Sequence, residues 1–356
     1  MIQTNRRLFC AAIAATAAFS ALPAAAQTAA KSATKSAAKT ATKTAAAAAA
    51  SKSGYPSIVG SMQTHVTVYK DSLVDLARKF GLGYTEIVSA NPGVDPWVPG
   101  ADKKIVLPTA HILPAAPYKG IVINLADQRL YFFREDGKSV DSVPLGIGNI
   151  GWDTPKGTTK VVRKKKNPTW YVPKSVRKED PELPAIVKPG PDNPLGSHAV
   201  YLGWPAYLFH GTNKPYGVGR RVSHGCVRLY PEDIARLFGD IKVGTSVTVV
   251  DQPMKVTIMD GQLWLEIHPS QLQADEVEQT GKHTPSKPAE FEFLLISAAG
   301  VNTNRIDWEK AKRAALERRG IPIPILRENG LKEKNQASVK ETNSPETAGP
   351  NSLPAE

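Results

Sequence analysis

The chain has 356 residues, a net charge of +12 and two cysteines, Cys10 and Cys226. That length gives room for about two folded units with substantial cores. Two cysteines exclude a disulfide framework and a multi-cysteine zinc module. The positive balance would fit a nucleic-acid binder only if it sat on the folded part.

Residues 1–26 carry Arg6-Arg7, an apolar run from Leu8 to Ala15 and the small residues Ala24-Ala25-Ala26, the pattern of a secretory signal peptide. The run is too short to span a bilayer, so no transmembrane segment is expected. Asn5-Arg6-Arg7-Leu8-Phe9 is a partial twin-arginine match. Cys10 should leave with the signal, making Cys226 the only thiol of an exported protein. Residues 27–60 form a linker rich in Ala, Lys, Thr and Ser, expected to be disordered, with Lys31, Lys35, Lys39 and Lys43 at a period of four. Together with Arg6, Arg7 and Lys52, these lysines account for most of the net charge, and nucleic acid is not an expected partner.

Residues 61–110 predict strand, helix, helix, strand. His65 to Tyr69 alternates; Asp71 is placed to cap a helix with Leu73, Leu76, Ala77 and Phe80 on one face; Gly81 and Gly83 stop it. Thr85 opens a second helix ending at Asn91-Pro92-Gly93, and Lys104 to Pro108 returns as a strand. Through Asp71-Ser72-Leu73, Ile87, Asn91-Pro92-Gly93 and Ile105-Val106-Leu107-Pro108 the segment resembles a LysM module. The resemblance implies binding to the N-acetylglucosamine backbone of peptidoglycan or chitin.

Residues 119–251 are β-rich. Strands are predicted at Gly120 to Ile123, Arg129 to Phe133, Ser139 to Val143, Ala199 to Leu202, Ala206 to Phe209 and Ser246 to Val250, with a hairpin turn at Glu135 to Lys138. One helix is clear, from Pro231 to Gly239, with Glu232 and Asp233 at its positive start. Arg163 to Lys166 is a basic run, expected to be solvated. The Pro-rich stretch 167–194 is long for a loop and would serve as a lid or as cover for a sheet edge. Residues 252–330 predict a hairpin and a helix capped by Asp307, and 331–356 a disordered tail.

The chemistry sits in the run His210-Gly211-Thr212 to Ser223-His224-Gly225-Cys226-Val227-Arg228. A lone cysteine beside two histidines and glycines fits nucleophilic thiol catalysis: a thiolate attacks, and an imidazole takes the proton or lowers the thiol pKa. Gly225 allows close backbone approach, and the amides near Cys226 suit an oxyanion. A zinc site from His210, His224 and Cys226 lacks a fourth ligand and is not expected; nor is any cofactor.

The same run resembles the signature of YkuD-type L,D-transpeptidases, in their periplasmic ErfK/YbiS branch. Gly146-Ile147-Gly148, Thr154-Pro155-Lys156-Gly157 and Arg220-Arg221-Val222 also fit. Many relatives carry Asn two places after the cysteine, where this chain has Arg228, a residue familiar in the periplasmic branch. The fold class implied is α+β, mainly β: a βααβ LysM-like domain followed by a β-sandwich or open-barrel domain with one clear helix. The resemblance implies that Cys226 attacks the third-residue carbonyl of a tetrapeptide stem, releasing D-Ala, with His210 as base and then acid, its other nitrogen held by a carbonyl such as that of Gly211. It implies an oxyanion hole around Gly225 and Cys226, supported by His224. Arg228, Ser223 and Tyr216 are the candidate substrate contacts, Arg228 alternatively a structural ion pair. Expected partners are peptidoglycan stems and glycan, with an outer-membrane lipoprotein as one possible acceptor, in the periplasm. The other readings are a carboxypeptidase or amidase using water, and a non-catalytic wall-binding protein.

Overall fold

Residues 54–328 are described by the structure, a computed structural model. The predicted signal peptide, most of the linker and the tail at 331–356 lie outside the described residues. The chain first builds β1 (Ile58–Gly60), β2 (Gln63–Val66), α1 (Leu73–Lys79), α2 (Tyr84–Ala90), β3 (Lys104–Leu107) and β4 (Ala110–Ile112). β2 and β3 pair antiparallel, enclosing the two helices as a βααβ unit. The apolar spacing makes its core: Leu73, Leu76, Ala77, Leu82, Ile87, Ile105 and Leu107 are buried together. Ser72, rather than the expected Asp71, caps α1 by accepting from Asp75 N at 3.0 Å. Asp71 instead accepts from Val68 N and pairs with His65.

Next come β5 (Gly120–Asn124), β6 (Arg129–Phe133), β7 (Val140–Pro144), β8 (Ile147–Gly148), β9 (Gly157–Lys166), β10 (Trp170–Tyr171), α3 (Lys174–Glu179), β11 (Ile186–Val187), β12 (His198–Leu202), β13 (Leu208–His210), β14 (Arg221–Ser223), β15 (Val227–Arg228), α4 (Pro231–Asp240) and β16 (Ser246–Val250). Eight of these strands form one curled sheet in the order β15, β13, β12, β9, β16, β5, β6, β7. This is a half-barrel, not the two-layered sandwich that alternating strands also suggested. Two pairings, β16 with β5 and β13 with β15, are parallel. α4 packs Ile234 and Leu237, both fully buried, into the sheet's main core. Each such side chain contributes about 2 kcal/mol, an upper value because the unfolded chain is partly collapsed. The basic run lies on β9, well inside the sheet, where Arg163 stacks over Tyr201 and Lys164 over Phe238.

The last segment holds β17 (Met254–Met259), β18 (Gln262–Ile267), α5 (Gln271–Thr280), α6 (Phe291–Ala299), α7 (Trp308–Glu317) and β19 (Ile323–Pro324). The hairpin and the Asp307-capped helix match expectation; α5, α6 and β19 were not predicted. A buried ion cluster ties this extension to the sheet. Lys255 Nζ lies 2.7 Å from Asp127 and 2.8 Å from Glu266, and Glu266 also meets His268 at 2.5 Å. Burial alone would raise Glu266, but Lys255, His111 and His268 hold it well below the carboxylate range. Asp127, Glu266 and His268 have metal-like spacing, yet the Lys255 ammonium already supplies their positive charge. Among the described residues no helix is long and apolar enough to cross a membrane.

Candidate active site

β13 ends on His210, and β15 begins immediately after Cys226. The two strands run parallel, with Phe209 opposite Val227 and His210 opposite Arg228. Ala199, opposite His210 on β12, and Leu208, two residues before it, point to the same face as the imidazole. Cys226 packs in the cluster that these two residues form with Leu195. The thiol and the imidazole thus share one face at the edge of the sheet.

His210 is buried, and its Nδ1 lies 2.6 Å from Gly211 O. A carbonyl only accepts, so Nδ1 carries the proton and Nε2 keeps a lone pair. Burial, helped by the Arg228 guanidinium, pushes the imidazole down to about 4, against the pull of the Gly211 and Pro194 carbonyls. Cys226 is half-buried, and burial pushes its thiol up, opposed by the Leu208 backbone and Arg228. Both groups therefore rest neutral at pH 7. This differs from the expected lowering of the thiol pKa, and the reason is the apolar cluster around the sulfur. The thiol donates to Ala206 O at 3.4 Å, a carbonyl presented by a residue at φ +67.

The nucleophile loop is pinned from beneath. Ser223 is buried, and its hydroxyl donates to Cys226 O at 2.5 Å, so it braces the loop. Thr154 is also buried: its hydroxyl donates to Gly225 O at 3.0 Å and accepts from Gly148 N at 3.2 Å. β8 and β14 pair in parallel, locking the Gly146-Ile147-Gly148 motif to the chain before His224. Gly225 has φ +91, and a Cβ there would lie 2.8 Å from Tyr207 Cε1, so only glycine fits. Arg221, buried, reaches Asp275 at 2.6 Å and Asp153 at 3.3 Å.

His224 is partly exposed. Its Nε2 meets Glu179 Oε2 at 2.9 Å, and its ring stands edge-on to Trp152 at 5.0 Å. Trp152 Nε1 donates to the other Glu179 oxygen at 3.2 Å. The stretch 167–194 therefore returns to the site through α3. His210, His224 and Cys226 do not converge as metal ligands among the described residues. Arg228 is half-buried with Nε unpartnered, and it has no carboxylate partner among the described residues. Tyr216 is exposed on the turn Pro215–Gly217. Sequence reasoning missed Glu179, Trp152, Ala206 and Tyr207, all distant in the chain from the cysteine.

A family model described as the L,D-transpeptidase catalytic domain, YkuD, matches residues 118–249. The chain is 39% identical over 261 residues to the probable L,D-transpeptidase ErfK/SrfK of Escherichia coli strain K12, covering 71% of this chain and 82% of that one. The chain belongs to the YkuD family. It is a cell-wall L,D-transpeptidase, a cysteine-dependent enzyme. The probable L,D-transpeptidase YcfS of the same organism is 42% identical over 222 residues, covering 59% of this chain and 69% of its own. Among solved structures, the catalytic domain of the E. faecium L,D-transpeptidase overlays 37% of this chain and 95% of its own, at 22% identity and a TM-score of 0.28.

Proposed function

We propose that Cys226 is the nucleophile and His210 the general base of an L,D-transpeptidase that takes tetrapeptide stems as acyl donors. One observation carries this reading: a buried imidazole, neutral and fixed as the Nδ1–H tautomer by Gly211 O, shares a face with the half-buried Cys226, the one thiol among the described residues. In this reading the thiol leaves Ala206 O and gives its proton to His210 Nε2. As Nε2 takes the proton, Sγ bonds to the carbonyl carbon of the third stem residue. The oxyanion is held by the amides around Gly225 and Cys226. Collapse breaks the peptide bond, His210 returns the proton to the leaving amine, and D-Ala departs, leaving a thioester. An acceptor amine then attacks, giving its proton to His210, which restores the thiol as the new amide forms. The unpaired Arg228 Nε supports contact with a substrate carboxylate. His224, held by Glu179 and Trp152, is read as a support of the oxyanion hole or a substrate contact, and the exposed Tyr216 as a further substrate contact.

The acceptor is a second stem, giving a 3-3 cross-link, or a lipoprotein lysine. The βααβ unit is read as a LysM-like module at 61–110, ahead of a catalytic domain at 119–251. Its glycan-binding surface is supported by the exposed Val68, Tyr69, Trp97 and Val98 on its loops. Export through the 1–26 signal places the enzyme in the periplasm. Incubation with tetrapeptide muropeptides, resolved by mass, tests the assignment: the wild type should release D-Ala and form dimers, and Cys226→Ala should do neither. D-Ala release by Cys226→Ala sinks the nucleophile; release without dimers identifies water as the acceptor.

A further inference from the structure

The βααβ module touches the segment that leads from His210 to Cys226. The first amides of a helix have no partner inside it. At the start of α2, Tyr84 N donates to Val218 O at 3.3 Å and Thr85 N to Gly219 O at 3.1 Å. The Thr85 hydroxyl adds a second bond to Gly219 O, at 2.7 Å. The two backbones are in direct contact. Gly219 has φ +79, and a Cβ there would lie 2.0 Å from Tyr84 N; a Cβ on Gly83 would lie 2.7 Å from Gly219 Cα. The Arg220 guanidinium sits 3.6 Å over the Tyr84 ring.

From Gly219 the chain runs straight into the nucleophile loop. Gly219 N donates to Leu145 O, and Ile147 N donates to Arg220 O. β14 then pairs with β8, and Ser223 holds Cys226 O. Gly219 thus lies two residues before β14 (Arg221–Ser223), the strand that leads into the loop His224 to Cys226. Of the surface offered above for glycan, Tyr69 lies on another segment of the module, whereas Trp97 also faces the Arg220 guanidinium at 6.0 Å.

We propose that the N-terminal module is a positioning element of the catalytic site: through Thr85 and the Gly83/Gly219 contact, α2 sets the placement of the Cys226 loop. The module thus has a role beyond attachment to the wall. The inference rests on Cys226 as nucleophile, and its test uses a small acylating probe that lacks any glycan. Gly83 has no positive φ, so Gly83→Ala leaves its own backbone unstrained while wedging the contact. Thr85→Val removes one hydroxyl, and Thr85→Ser keeps it.

In the full-length protein, Gly83→Ala and Thr85→Val should slow acylation of Cys226 by a carbapenem roughly 10-fold to 100-fold, with Thr85→Ser close to wild type. Pelleting with isolated sacculi should be unchanged. Acylation at the wild-type rate in Thr85→Val and Gly83→Ala, with pelleting lost or kept, overturns the proposal. Should Gly83→Ala fail to melt cooperatively, the Thr85→Val and Thr85→Ser pair decides alone. A wild type that resists acylation and releases no D-Ala overturns the nucleophile assignment instead.

Discussion

His210 shows how burial chooses a mechanism. With its imidazole pushed down to about 4, the base-competent form persists far below the ordinary 6.5. The acid limb of acylation should accordingly lie near pH 4; a limb at 6.5 in the wild type would contradict the buried-imidazole reading. The sign for stability follows from the same depression. Below 6.5 the unfolded chain takes up a proton that the folded chain refuses, so stability is intact above 6.5 and falls as pH drops toward 4. Arg228 helps to hold His210 down, so Arg228→Gln should move the acid limb to higher pH, read from acylation rates across pH 3.5 to 8 in roughly half-unit steps. The residues of this centre were legible because thiol chemistry needs a nucleophile and an imidazole close in space, and in this chain His210, His224, Gly225 and Cys226 also fall on one run of sequence. Glu179 was not: it meets His224 across 45 positions, and no local pattern marks such a pair.

Elements were legible where one face is apolar at a regular period, as in α1 and α4. They were not legible where the period fails. α5 buries only Gln273, Ala274 and Val277, and α6 is apolar nearly all round, so neither shows a clean stripe. The short β10, α3 and β11 are too brief to display any period, which made 167–194 read as loop. Alternation found the strands of the sheet but not its closure, because the parallel pairings are set by contacts far apart in sequence. At this scale the turn before β15 is the sensitive joint. Gly225→Ala would place a Cβ against Tyr207 at φ +91, storing about 1–3 kcal/mol of strain. It should cut acylation at least roughly 10-fold while thermal melting remains cooperative; a variant with wild-type rate would show that the loop is not held as described.

At the scale of the molecule, buried ion pairs join three stretches of sequence that each have a core of their own. Lys255 of the extension neutralises Asp127 of the sheet and its own Glu266, and Glu86 of the module pairs with Arg129 at 2.8 Å. Lys255→Met leaves two buried carboxylates without their cation and should cost about 3–5 kcal/mol, read as a lowered denaturation midpoint. A loss under roughly 1 kcal/mol would mean that water already serves these groups. Because the matched catalytic segment ends at residue 249, its Asp127 depends on a lysine outside it, and its Arg221 on Asp275. That dependence restricts how such a chain can be recombined. A YkuD segment transplanted without its own flanks would lose the lysine that neutralises Asp127 and the Asp275 carboxylate on Arg221, leaving that arginine only Asp153 and the Gly148 carbonyl, so the segment would be less stable apart from its flanks than joined to them.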